Sequence, residues 1–69
     1  MLIQLADHAL VDDFCAHYRR SGFHAEDVGG GVVEIVRPDA PQVEQERREV
    51  LMHLRVWEVL HPDVRAALL

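Results

Sequence analysis

One stretch constrains the fold more than any other: Asp39–Pro62, DAPQVEQERREVLMHLRVWEVLHP, the longest segment in this 69-residue chain with a single helical period. Its start is marked by Asp39, whose carboxylate is suited to accept a first-turn amide, with Gln42 three positions on to complete a capping box. Pro41 falls in the first turn, where its missing donor costs nothing. Glu44 and Glu46 lie toward the positive end of the helix dipole, and Glu44 faces Arg48 at i+4. His61-Pro62 marks the stop, because proline drives the preceding residue out of the α region. Val43, Val50, Leu54, Trp57 and His61 fall on one face, with Leu51 beside them and Leu60 at the other flank. That face is the expected core side. Roughly 160–220° around the helix lie Met52, Val56 and Val59. A helix with its back to water does not need three apolar residues there. The pattern predicts that this back is covered, by the C-terminal tail or by another chain.

The chain's size sharpens that expectation. A single domain this small buries only about 60% of its unfolded surface, and oligomerisation is a natural supplement when no disulfide is available. Seven Arg against twelve acidic residues give a net charge of −5. That balance argues against nucleic acid and against an anionic membrane surface as partners. Every basic residue is Arg, which with the richness in Ala and Val points to a high-GC bacterial genome. The absence of Lys excludes Schiff-base and pyridoxal chemistry and the phosphate-binding P-loop. The lone Cys15 cannot form an internal disulfide, and the opening MLIQLADHAL lacks the basic start of a signal peptide. No apolar run approaches the ~18 residues of a membrane span. These features together predict a cytoplasmic protein.

Before the long helix, Leu2–Leu5 reads as a short strand, followed by a helix start at Asp7. Helix one extends to about Ser21, with Leu10, Val11, Phe14, Cys15 and Tyr18 as its apolar face. Asp12 and Asp13 stand early in it, Arg19 and Arg20 late, as the dipole prefers. Gly22 follows as the left-handed terminating residue. Phe23–Val28 and Val32–Arg37 flank Gly29–Gly31 and read as a hairpin. The tail after Pro62, residues 62–69, fits a single helical turn, a final edge strand, or an arm onto a partner.

The order is therefore β-α-β-β-α with a possible short C-terminal strand, all within one domain. A right-handed crossover makes strands one and two parallel, and the hairpin inserts strand three antiparallel between them. The expected fold class is α+β, a two-layer sandwich with both helices on one face of a small antiparallel sheet. It resembles the ferredoxin-like fold, complete or lacking its fourth strand. One of the sets Val32/Val36 or Val33/Ile35 then points away from the helices, to a face with no helix left to cover it.

Five histidines invite a search for chemistry. His8 with Asp12 and Asp13 with His17 have i,i+4 metal-ligand spacing, but on different faces and without a third ligand. His53, Trp57 and His61 share a flank of the long helix over about 12 Å, too far to close on one ion. Cys15 lies on an apolar face with no helix N-terminus to activate it, and Ser21 is not in a nucleophile elbow. The glycine run joins two strands, not a strand and a helix, so it reads as a turn and not as a phosphate cradle. One Cys removes thiol clusters, and strand three lacks the aromatics of an RNA-binding sheet. No catalytic residue, cofactor or metal site is expected. The expected function is a non-catalytic interaction or regulatory module, a homodimer or the small subunit of a larger partner, with Met52, Val56 and Val59 at the interface. The alternative is a small-molecule sensor whose cleft has His53, Trp57 and His61 at its rim.

Overall fold

The computed structural model describes residues 1–39 and 42–69. Along the chain come β1 (Leu2–Leu5), a 3-10 turn (His8–Leu10), α1 (Val11–Arg20), β2 (His24–Gly29), β3 (Val32–Val36), α2 (Val43–Leu60) and β4 (Ala66–Leu68). The strands form one sheet in the order β2-β3-β1-β4, and every neighbouring pair is antiparallel. The tail after Pro62 thus ends in an edge strand on β1, in register Ile3 to Leu68 and Leu5 to Ala66.

Strand alternation decides which side chains enter the core. Ile3, Leu5, Ala25, Val33 and Ile35 point to one face and are buried. Val11, Phe14, Cys15 and Tyr18 from α1, and Val50, Leu54 and Trp57 from α2, close over them in a single cluster. The expected faces of both helices are therefore the packed ones at their centres. Tyr18 fastens the two helices together: its hydroxyl donates to the Val50 carbonyl at 2.7 Å inside the core. A second tie comes from Arg37, just past β3. Its backbone N–H donates to Glu46 Oε2 at 3.1 Å, and its guanidinium lies 3.0 Å from Glu49 Oε2, off the hydrogen-bonding direction, and over the Phe23 ring.

Local signals work as elementary chemistry requires. Asp7 Oδ1 accepts the Ala9 amide at 3.0 Å and opens the helical segment. The hairpin turns at Gly30 and Gly31, both at positive φ as a two-residue primed turn demands, and Val28 forms a bulge on the β2 side. Gly31 is doubly required, because a Cβ there would meet the His8 ring at 2.5 Å and the Leu5 carbonyl at 2.8 Å.

The start of α2 departs from expectation. The N-cap is Gln42, without a side-chain capping bond, and Asp39 lies in an exposed turn three residues before it. Pro41 lies outside the described residues. Val43, expected in the core, is 81% exposed, and Leu60 is 65% exposed. The buried face of α2 runs only from Val50 to Trp57; Val43 lies two turns before it, and Leu60 lies about 80° around the helix from Val50. The second strand also begins at His24, with Phe23 buried just ahead of it.

Candidate functional site

The outward face of α2 is the candidate site. Met52, Val56 and Val59 are 55%, 47% and 79% exposed, directly opposite the buried Val50, Leu54 and Trp57. Leu60, on the flank of the helix about 80° from Val50, is exposed beside them. Two shallow adjoining grooves run along this face. One, of about 290 Å³, is lined by Arg48, Leu51, Met52 and Arg55; the next, of about 260 Å³, by Arg55, Val56, Val59 and Leu60. Arg55 forms the ridge between them. The tail that could have covered this stripe is committed elsewhere, to the β1 edge. Among the described residues, nothing in the chain covers it.

The open face of the sheet is more mixed than the valines suggest. Val32, Val36 and Leu2 point outward, but Leu2 pairs with Glu34 and Gln4 with Val32. Glu26 stands directly across from Glu34 on the neighbouring strand, a like-charge pair that disfavours burial of this face. A groove of about 460 Å³ lies here, lined by these carboxylates together with Arg19, His24, Ala25 and Val36. Arg19 closes the outer edge of β2 by donating from Nε and Nη2 to the Ala25 carbonyl, at 3.1 and 2.6 Å. That contact removes an acceptor from an exposed strand edge. A further groove of about 450 Å³ runs between β4 and the C-terminal end of α2, with Glu58 and Arg65 on its walls.

His53, Trp57 and His61 are brought into one aromatic cluster and packed. Trp57 is only 3% exposed, with the Phe14 ring edge-on at 5.2 Å and the His61 ring stacked on it at 3.7 Å. His61 Nδ1–H donates to the Trp57 carbonyl at 3.1 Å, fixing that stack. The indole Nε1–H is buried without a hydrogen-bond partner among the described groups. His53 lies against Phe23 at 5.1 Å and Tyr18 at 6.1 Å. Burial holds the His53 imidazole below its ordinary pKa, and the neighbouring His17 adds to this; Glu49 opposes it and Arg37 reinforces it. The four grooves described above are lined by other residues.

His17 is the member that sequence reasoning placed elsewhere. Its spacing from Asp13 suggested a surface pair, yet its Nε2–H donates to the His53 carbonyl at 3.1 Å, linking α1 to α2. The available signal was its position three residues after Phe14 and next to Tyr18, at the border of the apolar face. Among the described residues no three His, Cys, Asp or Glu side chains come together as a metal site. The Cys15 thiol is pushed up by burial, which outweighs the opposing effect of Arg19. Ser21 Oγ donates to the His17 carbonyl at 3.3 Å, a helix-end contact. No helix described is long and apolar enough to cross a membrane. No family model, curated protein or solved structure matches the chain.

Proposed function

We propose that this chain is a non-catalytic interaction or regulatory module of the cytoplasm, acting as a homodimer or as the small subunit of a larger protein, and that it docks through the outward face of α2. Its four-strand order is read as the complete ferredoxin-like arrangement, used as a scaffold for that helix. The observation that carries the reading is the exposure of Met52, Val56 and Val59 on a helix whose opposite face already fills the core. Clustered apolar side chains in water favour any partner that covers them. Sedimentation of the purified chain up to near-millimolar concentration, together with recovery of the tagged chain from its native cells, tests this. Met52→Glu and Val56→Glu are expected to reduce whichever association is seen without unfolding the domain. If neither self-association nor a recovered partner responds to either substitution, the reading is abandoned.

A second reading, small-molecule sensing beside Trp57, draws on the unpartnered indole N–H beneath His61. It requires His61 to move aside and a ligand acceptor to replace it. A metabolite panel that leaves Trp57 fluorescence unchanged counts against it.

A further inference from the structure

The sheet has two outer strands, and they end differently. At the β2 edge, Arg19 takes up the Ala25 carbonyl from two nitrogens. At the β4 edge, the Ala6 N–H donates to the Arg65 carbonyl and the Leu69 N–H to the Leu2 carbonyl. The alternate residues Arg65, Ala67 and Leu69 therefore turn their backbone groups toward β1, and Ala66 and Leu68 turn theirs outward. Those outward N–H and C=O groups have no partner among the described residues. The side chains of Ala66 and Leu68 face the helices, in register with Leu5 and Ile3, and stay only half-buried at the rim of the core. Beside Ala66 opens the groove of about 450 Å³, with Pro62 and Val64 also on its walls. Unpaired backbone groups along a half-covered core are the seat for an added strand.

We infer that the added strand is β4 of a second copy of this chain, antiparallel about a two-fold axis at Ala67, which joins two four-stranded sheets into one. This surface is separate from the α2 face proposed above and leaves that face free. Ala66 and the partner's Leu68 exchange two backbone hydrogen bonds, and the symmetry repeats them at Leu68 and the partner's Ala66. Any extended segment satisfies those groups; the side chains select this one. On the helix side each Leu68 lands against the partner's Ala66, a large residue beside a small one, at the mouth of the groove. On the open side Ala67 meets the partner's Ala67, where paired strands approach to about 4.5 Å and a small residue fits. The one charge between residues 65 and 69, Arg65, stands opposite the partner's Leu69, about 13 Å along the strands from its own copy. The strand pair thus sets no like charges opposite each other.

Residues 66–68 span only about 10 Å, so the contact falls short of the ~800 Å² per partner of a standard interface. The dimer therefore belongs to the weak class, with a dissociation constant on the order of 10⁻⁴ M.

Sedimentation equilibrium of the full chain up to near-millimolar concentration is the test, with circular dichroism to confirm that each variant is folded. Ala66→Pro removes an outward N–H and spares every bond to β1, so it is expected to abolish the dimer and keep the monomer folded. Ala67→Glu and Ala67→Lys are each expected to weaken the dimer about fivefold, and an equal mixture of the two to recover the loss. Ala67→Cys is expected to form a disulfide-linked dimer on mild oxidation. Arg65→Cys, exposed on the same strand, and the wild type, whose Cys15 is buried, are expected to cross-link far more slowly. A dimer that Val56→Glu splits but that Ala66→Pro and Ala67→Glu leave intact overturns the edge pairing and leaves the α2 face an interface. A dimer lost in Ala66→Pro that shows neither mixed-charge recovery nor faster cross-linking of Ala67→Cys overturns the two-fold register. A wild-type chain monomeric throughout overturns self-association, and the α2 face is then judged by the partner it recovers.

Discussion

Replacing Tyr18 by Phe probes a fully buried hydrogen bond between α1 and α2. The ring is fully buried and packs against Phe14 and Phe23, so phenylalanine fills the same space and removes only the hydroxyl. The Val50 carbonyl loses the 2.7 Å bond but stays inside α2 with its helical partner, so it is not orphaned. The expected cost near pH 7 is about 1 kcal/mol, or roughly 4–8 °C in melting temperature for a domain this small. Alkaline pH supplies the sharper test. Burial first, and then Glu58, raise the Tyr18 pKa well above its ordinary value of 10. The folded state therefore keeps the phenol protonated while the unfolded chain ionises. This contribution is fully present below pH 10 and is lost as pH rises above it, at about 1.4 kcal/mol per pH unit. The chain has no Lys and a single Tyr, so among side chains that titrate near this range only Cys15 competes, and it does so equally in both proteins. Near pH 11 the wild type is expected to fall to, or slightly below, the stability of Tyr18→Phe. Urea titrations followed by Trp57 fluorescence at pH 7 and pH 11 measure both quantities. A gap between the two proteins that does not change with pH would refute the buried, bonded phenol.

Other expectations follow from the same packing. Leu54→Ala, in the core, is expected to cost 2–5 kcal/mol by chemical denaturation, most of what a domain of this size has. Val59→Ala, on the same helix but 79% exposed, is expected to change monomer stability by less than about 0.5 kcal/mol. Because His53 has a lowered folded pKa, its contribution is present above about pH 6.5 and lost as pH falls through the folded value. The urea midpoint should therefore drop between pH 7.5 and 5, and His53→Gln should flatten that slope. Gly31→Ala should cost at least about 1 kcal/mol more than Gly30→Ala. Both sit at positive φ, but only at Gly31 would a Cβ strike the His8 ring and the Leu5 carbonyl. Equal midpoints for the two alanine variants would contradict that geometry.

Much of the fold was legible because it depends on neighbours in the chain. Val33 and Ile35 had to share a face by the period of two, and Val50, Leu54 and Trp57 by the period of 3.6. The glycine turn and the stop at His61-Pro62 follow from steric limits on single residues. The apolar back of α2 was legible for the same reason: it is a phase relation within one helix. What no local pattern carries is how far the surface beneath an element extends. Val43 is in phase with Val50, Leu54 and Trp57 yet exposed, because the packed stretch of α2 begins only at Val50. Nor could spacing show that His17 meets His53, thirty-six positions away, once α1 and α2 lie side by side. The fate of the tail was open for a related reason. A short apolar segment gains its structure from the edge it pairs with, and β1 offered one. By itself the sequence determined which side chains turn inward and which outward on each element. Only the tertiary structure decided where those faces run out, because burial depends on the extent of the partner surface as well as on the phase of the chain.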